Sequence, residues 1–145
     1  MTWYLKKWYE RNILDWLIML AGHQPNRFHQ FLWINGTPII GPNTYIGGYG
    51  EIYAKGARVV IGQNCDIASF VAINCADSHL KTIGRSNEIE KKDIYIGNNV
   101  FIGSHCVILG GTKIGHHSVI GAGSIIKNKN IPPYSLYVNG EIKKL

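Results

Sequence analysis

The sequence is short of acidic residues, of cysteine and of long apolar runs, and each shortage closes off a class of protein. Nine Asp and Glu stand against 15 Lys and Arg, a formal charge of +6. That balance suits an anionic ligand: a phosphorylated cofactor, a nucleotide sugar, a membrane surface or nucleic acid. The three cysteines form no CxxC pair and no disulfide framework, which predicts reduced thiols in a cytoplasmic protein. The longest apolar run, Trp16 to Ala21, falls far short of the roughly 20 residues that cross a bilayer. Lys6, Lys7, Glu10, Arg11 and Asp15 break up the stretch before it, so no cleavable signal peptide is expected. Disorder is excluded by composition, with 46% hydrophobic and 17% charged residues.

What the sequence does have is a period of six. Ile96, Ile102, Ile108, Ile114, Ile120 and Ile126 follow one another without a slip. Gly97, Gly103, Gly115 and Gly121 come directly after four of them, and the fifth place of each unit is small or nearly so: Val100, Cys106, Thr112, Ser118, Ser124, Asn130. Neither a helix nor an ordinary strand generates that period. A solenoid does, with one short strand and one turn per hexad, isoleucine pointing inward and a small residue filling the narrow inner corner. The rhythm begins earlier, at Ile40, Ile46, Ile52, Ile61, Ile67 and Ile73, so all twelve first places carry isoleucine. It breaks twice. The jump from Ile52 to Ile61 predicts a three-residue insertion at a corner, and Asp77 to Asp93 predicts a loop thrown out of the repeat. Asp77 also stands at a fifth place, where a carboxylate violates the local rule and so points to function.

Around the repeat, residues 1–36 read as a helix and connector, 37–135 as the solenoid with its loop at 77–93, and 136–145 as a tail on the last coil. Leu5, Tyr9, Ile13, Trp16, Leu17 and Leu20 form a stripe at helical spacing, with Gly22 and Pro25 as stop signals. The stripe predicts a helix packed over the coil end or another subunit, or lying on a membrane surface with Trp3 and Trp8 in the headgroup zone. Phe28, His29, Phe31 and Trp33 make an aromatic connector. Pro132 and Pro133 are expected to end the strand ladder.

The hexads, the loop opening Asp77-Ser78-His79, IGNNVFIGSH (96–105), IGAGSII (120–126) and NIPPYS (130–135) together resemble the hexapeptide-repeat acyltransferases. The likeness is to the galactoside, maltose and xenobiotic acetyltransferases and those of bacterial surface-sugar synthesis, and runs from about Ile40 to Lys144. It implies an all-β fold, a left-handed parallel β-helix, to which the N-terminal α-helix read from the stripe is added. It implies a homotrimer with active sites between subunits, acetyl-CoA as co-substrate without a metal, and a small sugar acceptor.

By the same resemblance His79 is the general base, a role a neutral imidazole fills near pH 7. Asn74, Asp77, Arg85 and Glu88 are the residues expected near the acceptor. Gly103 and the Ser104 backbone match the position beside the thioester, where an N–H stabilises the tetrahedral oxyanion. Phe101 stands where many sugar acetyltransferases have tryptophan. Gly121 and Ala122 line the pantetheine path, and Lys127, Asn128, Lys143 and Lys144 match positions near the nucleotide phosphates.

Two other classes share the fold. A zinc carbonic anhydrase needs two closely spaced histidines on one coil, whereas His105 is followed only at His116 and His117. A bare scaffold leaves the loop histidine unexplained. Nucleic-acid binding has only net charge behind it, since the aromatics cluster in the helix and connector. The sequence therefore reads as a cytoplasmic acetyl-CoA-dependent sugar acetyltransferase, with O- or N-transfer open and a weak membrane contact through the helix.

Overall fold

The structure is a computed structural model, and it describes residues 3–21 and 26–145. Gly22 and Pro25 lie outside the described residues, as do the side chains of Trp3, Leu5, Lys6, Lys7 and Tyr9. Helix α1 spans Trp3–Leu20. Beyond it the chain winds as a left-handed parallel β-helix of about 5 turns.

Three sheets form the faces of the coil. The first face stacks the strands at 33–36, 51–54, 72–74, 107–109 and 125–126; the second stacks 39–40, 59–61, 94–96, 113–114 and 130–131. The third stacks 45–46, 66–67, 101–102, 119–120 and 135–138, edged by 141–144. All pairings in the coil are parallel except that of the last strand, which runs antiparallel to 135–138.

Hexad chemistry explains the coil. Eleven of the twelve first-place isoleucines are buried, and Ile40, at the open first coil, is half-buried. Each is worth roughly 1.5–3 kcal/mol removed from water. Thr112, Ser118, Cys65, Val71, Val100 and Cys106 fill the inner corner as small residues must. Glycine at second place is required by coil-on-coil contact. A Cβ on Gly115 would stand 2.3 Å from the Pro133 backbone nitrogen, and one on Gly103 would stand 2.6 Å from that of Ala122. Gly115→Ala is expected to lose about 1–3 kcal/mol by overpacking, read as a lowered denaturant midpoint.

The breaks resolve as follows. Pairing partners lie 18 residues apart where the drum is regular, as Phe101 and Val119 do, but Ile39 faces Val60, the three-residue insertion. Three expectations need correction. Asp77 does not occupy an inner corner: Ile94 and Val59 fill that place in adjacent coils, and Asp77 leads out into the loop. Asn130 is exposed, because Ile131 follows Ile126 after only five residues and the last coil is one residue short. Pro132 and Pro133 do not end the ladder. They sit at a corner, where no N–H is needed, and 135–138 resumes pairing with 119–120.

The corners differ in side chain. Where the second face meets the third, the left-handed positions are held by Asn43, Asn64 and Asn99, then His117 and Tyr134. Where the third meets the first they are Tyr49, Phe70, His105 and Gly123, an aromatic corner. The loop leaves from the corner between first and second faces.

Candidate functional site

The loop begins as Asn74 closes a first-face strand, its Oδ1 accepting the Ala76 N–H at 2.9 Å. Ala76–Asp77 then pairs antiparallel with Glu90–Lys91, and a single turn, α2, runs His79–Thr82. Asp77 works with both oxygens. Its Oδ1 accepts the His79 backbone N–H at 3.1 Å and lies 2.5 Å from His79 Nδ1; its Oδ2 accepts from Lys127 Nζ at 2.6 Å. The Lys127 ammonium first, then the His79 backbone and ring, hold the Asp77 carboxyl well below the usual carboxylate range. Asp77 in turn pushes Lys127 upward.

An ionised carboxylate only accepts. His79 Nδ1 therefore carries the hydrogen it shares with Asp77, and Nε2 keeps a free lone pair. The side chain is 51% exposed, so that lone pair is open to a substrate. The crevice beneath the network, beside Asn74, Asp77 and Lys127, is only about 10 Å³, too small for a sugar.

Because the Asp77 carboxyl is depressed in the folded chain, the stability it lends the loop is fully present above the ordinary value of 3.8. It is lost as pH falls below that value. A carbon-13 titration of Asp77 is expected to show no inflection above about pH 3.8.

Two contributors escaped the sequence reading. Glu90 approaches Lys127 at 4.0 Å and pairs with Lys92 at 2.6 Å, and Lys92 donates to Asn128 Oδ1 at 3.1 Å. Their signal was the alternation of Glu90 and Lys92 on one side of a short strand.

The structure thus brings Asn74, Asp77, His79, Lys127 and Asn128 to one corner. Arg85 and Glu88 are exposed farther along the loop, and among the described residues no hydrogen bond or ion pair joins them to this cluster.

The remaining site residues lie elsewhere. Gly103, Ser104, Gly121 and Ala122 sit on the aromatic corner, and Phe101 is on the third face, 42% exposed. The Ser104 N–H donates no hydrogen bond among the described residues, and its carbonyl accepts from Gly123 at 2.9 Å. Ala122 and Gly123 are exposed beside a cavity of about 260 Å³ shared with Tyr137 and Asn139. Lys143 and Lys144 are exposed on the edge strand, Lys143 paired with Glu141 at 3.3 Å. His105 stands on the aromatic corner, whereas His116 and His117 contact each other and Tyr134 on another.

A family model described as bacterial transferase hexapeptide (six repeats) matches residues 93–128. Residues 93–128 thus resemble the hexapeptide repeat of that family. Galactoside O-acetyltransferase of Escherichia coli (strain K12) is 49% identical over 76 residues, 52% of this chain and 37% of that enzyme. Among solved structures, the polySia-specific acetyltransferase NeuO superposes with a TM-score of 0.63 at 34% identity, covering 74% of this chain and 47% of that one. A galactoside acetyltransferase in complex with coenzyme A superposes at 0.57 with 28% identity, covering 94% of this chain and 80% of that one. The chain thus spans less than half the length of the first two relatives.

Proposed function

We propose that this protein is an acetyl-CoA-dependent acetyltransferase acting on a sugar, nucleotide-linked or part of a surface polysaccharide. The single observation that carries the reading is the Asp77–His79 pair, whose geometry leaves Nε2 free on an exposed loop. Nε2 takes the proton of an acceptor hydroxyl, or of an amine, as its oxygen or nitrogen attacks the thioester carbonyl carbon. A tetrahedral oxyanion forms, the Ser104 N–H stabilises it, the C–S bond breaks, and the imidazolium returns the proton to the departing thiolate. Lys127 holds Asp77 and with it the ring, and Glu90 stands 4.0 Å from Lys127. Acetyl-CoA is the co-substrate, in keeping with the coenzyme A bound in the galactoside acetyltransferase. No metal takes part in this scheme.

His79 and the Ser104–Ala122 track stand on different corners of one chain, which supports a homotrimer whose sites join the loop corner of one copy to the aromatic corner of the next. The chemistry takes place where acetyl-CoA is made, in the cytoplasm. A weak contact with the membrane belongs to the same reading. Trp8, Trp16, Met19 and Leu20 of α1 are each more than 60% exposed, and no helix among the described residues is long and apolar enough to cross a bilayer. Trp16→Glu is expected to reduce cosedimentation with anionic vesicles severalfold; unchanged sedimentation would remove the contact.

The test is a product screen by mass spectrometry with acetyl-CoA and a pool of amino and hydroxyl sugars. One acetyl gained on a sugar without a free amine establishes O-transfer, and gain only on amino sugars establishes N-transfer. Absence of any acetylated sugar, with CoA bound, contradicts the proposal.

A further inference from the structure

A cavity of about 590 Å³ lies away from the loop, between α1 and the connector at Asn26 to Gln30. Small-molecule sites fall in the range of about 300–1,000 Å³. The helix does not turn its apolar stripe toward this space. Ile13, Trp16, Leu17 and Leu20 are exposed, while Arg11, Leu14, Asp15 and Ile18 line the cavity.

The lining has a definite chemistry. Arg11 and Arg27 are matched by Glu10 and Asp15, yet no ion pair joins any of the four among the described residues. Arg27 instead lies 5.0 Å over the Phe28 ring, and Trp8 supplies a second aromatic wall. Carboxylates accept from hydroxyls, guanidinium groups donate to hydroxyl and ring oxygens, and aromatic surface covers C–H faces. Together these are the partners of a polyhydroxylated ring. Among the described residues two carboxylates face two guanidinium groups, a balance that favours a neutral polyhydroxylated ring over a phosphate dianion.

The cavity is also connected to the corner that bears Ser104. His29, in its lining, sits against Gly48 and heads a ladder of rings. Phe31 stacks on Tyr49 at 5.2 Å, Tyr49 on Phe70 at 5.3 Å, and Phe70 on His105 at 4.8 Å. Tyr49, Phe70 and His105 hold φ of 59°, 63° and 60°, a region that bulky side chains avoid. Asparagine serves the same position at the next corner without that strain. The ladder keeps half-exposed rings, Phe31 at 41%, Tyr49 at 59% and Phe70 at 49%, along a line ending one residue past Ser104.

We propose that the cavity is a carbohydrate subsite, holding a non-reacting sugar residue of an extended glycan acceptor. The acceptor chain lies along the aromatic corner and presents its reacting residue at the Ser104 end. The inference rests on the sugar-acetyltransferase reading and adds to it that the preferred acceptor is an oligosaccharide.

The test uses the full chain with glucose, galactose, N-acetylglucosamine and sialic acid, and with a tetrasaccharide of each. Saturation-transfer NMR reads binding, and steady-state kinetics with acetyl-CoA reads transfer. The accepted tetrasaccharide is expected to show KM about tenfold or more below that of its monosaccharide. Arg11→Gln with Asp15→Asn is expected to erase that advantage while monosaccharide kinetics, CoA binding and the circular-dichroism melt stay as in the parent. Each single substitution gives a milder version in case the double variant melts early. Equal KM for both lengths, or equal losses on both in the variant, overturns the subsite. So does binding of uridine diphosphate that the variant abolishes, which would make the cavity a nucleotide site. Should no sugar be acetylated, the acetyltransferase reading fails on its own, and NMR still decides the cavity. Saturation transfer to a tetrasaccharide that the variant loses supports it, and none from any tetrasaccharide overturns it.

Discussion

His79→Ala is expected to lower kcat by about 10²–10⁴-fold while leaving the affinity for coenzyme A unchanged. The magnitude is that of a general base removed from proton transfer. His79 is exposed and packs against no core residue, so its truncation opens no cavity and leaves the melt in place. The split between turnover and binding separates this outcome from unfolding. Turnover equal to the parent's would take His79 out of the mechanism.

Asp77→Asn is expected to cost about 10²–10⁴-fold in kcat as well, for a different reason. The carboxylate accepts from Nδ1; an amide whose NH₂ group faces that nitrogen donates instead, and the ring then carries its hydrogen on Nε2. The base is present but offers no lone pair to the acceptor. The amide oxygen, on the Oδ2 side, still accepts from Lys127 but no longer carries the charge that pairs with it. Calorimetry is expected to show an intact fold, because the loop stands outside the coil and the isoleucine column is untouched. A variant as active as the parent would show that the pair does not set the tautomer.

The coil was legible in the sequence because two positions in six obey strict physical demands, an aliphatic knob at Ile102 or Ile120 and a small residue at Cys106 or Ser124. The loop was legible as a failure of that rhythm. What escaped was placement across coils. Lys127 and Asp77 are 50 residues apart and meet only because the loop folds back beside the end of a first-face strand. The aromatic ladder was hidden by the insertions. Phe31, Tyr49, Phe70 and His105 follow the same irregular offsets as the strand pairs Trp33–Glu51, Glu51–Ala72 and Ala72–Val107. The helix was legible only in part. Periodicity finds an apolar stripe but not the surface it meets, and here the stripe at Ile13, Trp16 and Leu20 faces outward.

The central claim is that one site is built from two copies, His79 from one and the Ser104–Ala122 corner from the next. Complementation tests it most directly. Ala122→Trp, which adds bulk to the exposed side chain of the aromatic corner, and His79→Ala are each expected to be inactive. Coexpressed in equal amounts, they assemble at random into mixed rings. A quarter of the junctions then pair an intact His79 with an intact Ala122, restoring about one quarter of parental activity. Recovery near that fraction is the result predicted. No recovery from mixed assemblies of confirmed composition would place both halves of the site within one chain and contradict the account.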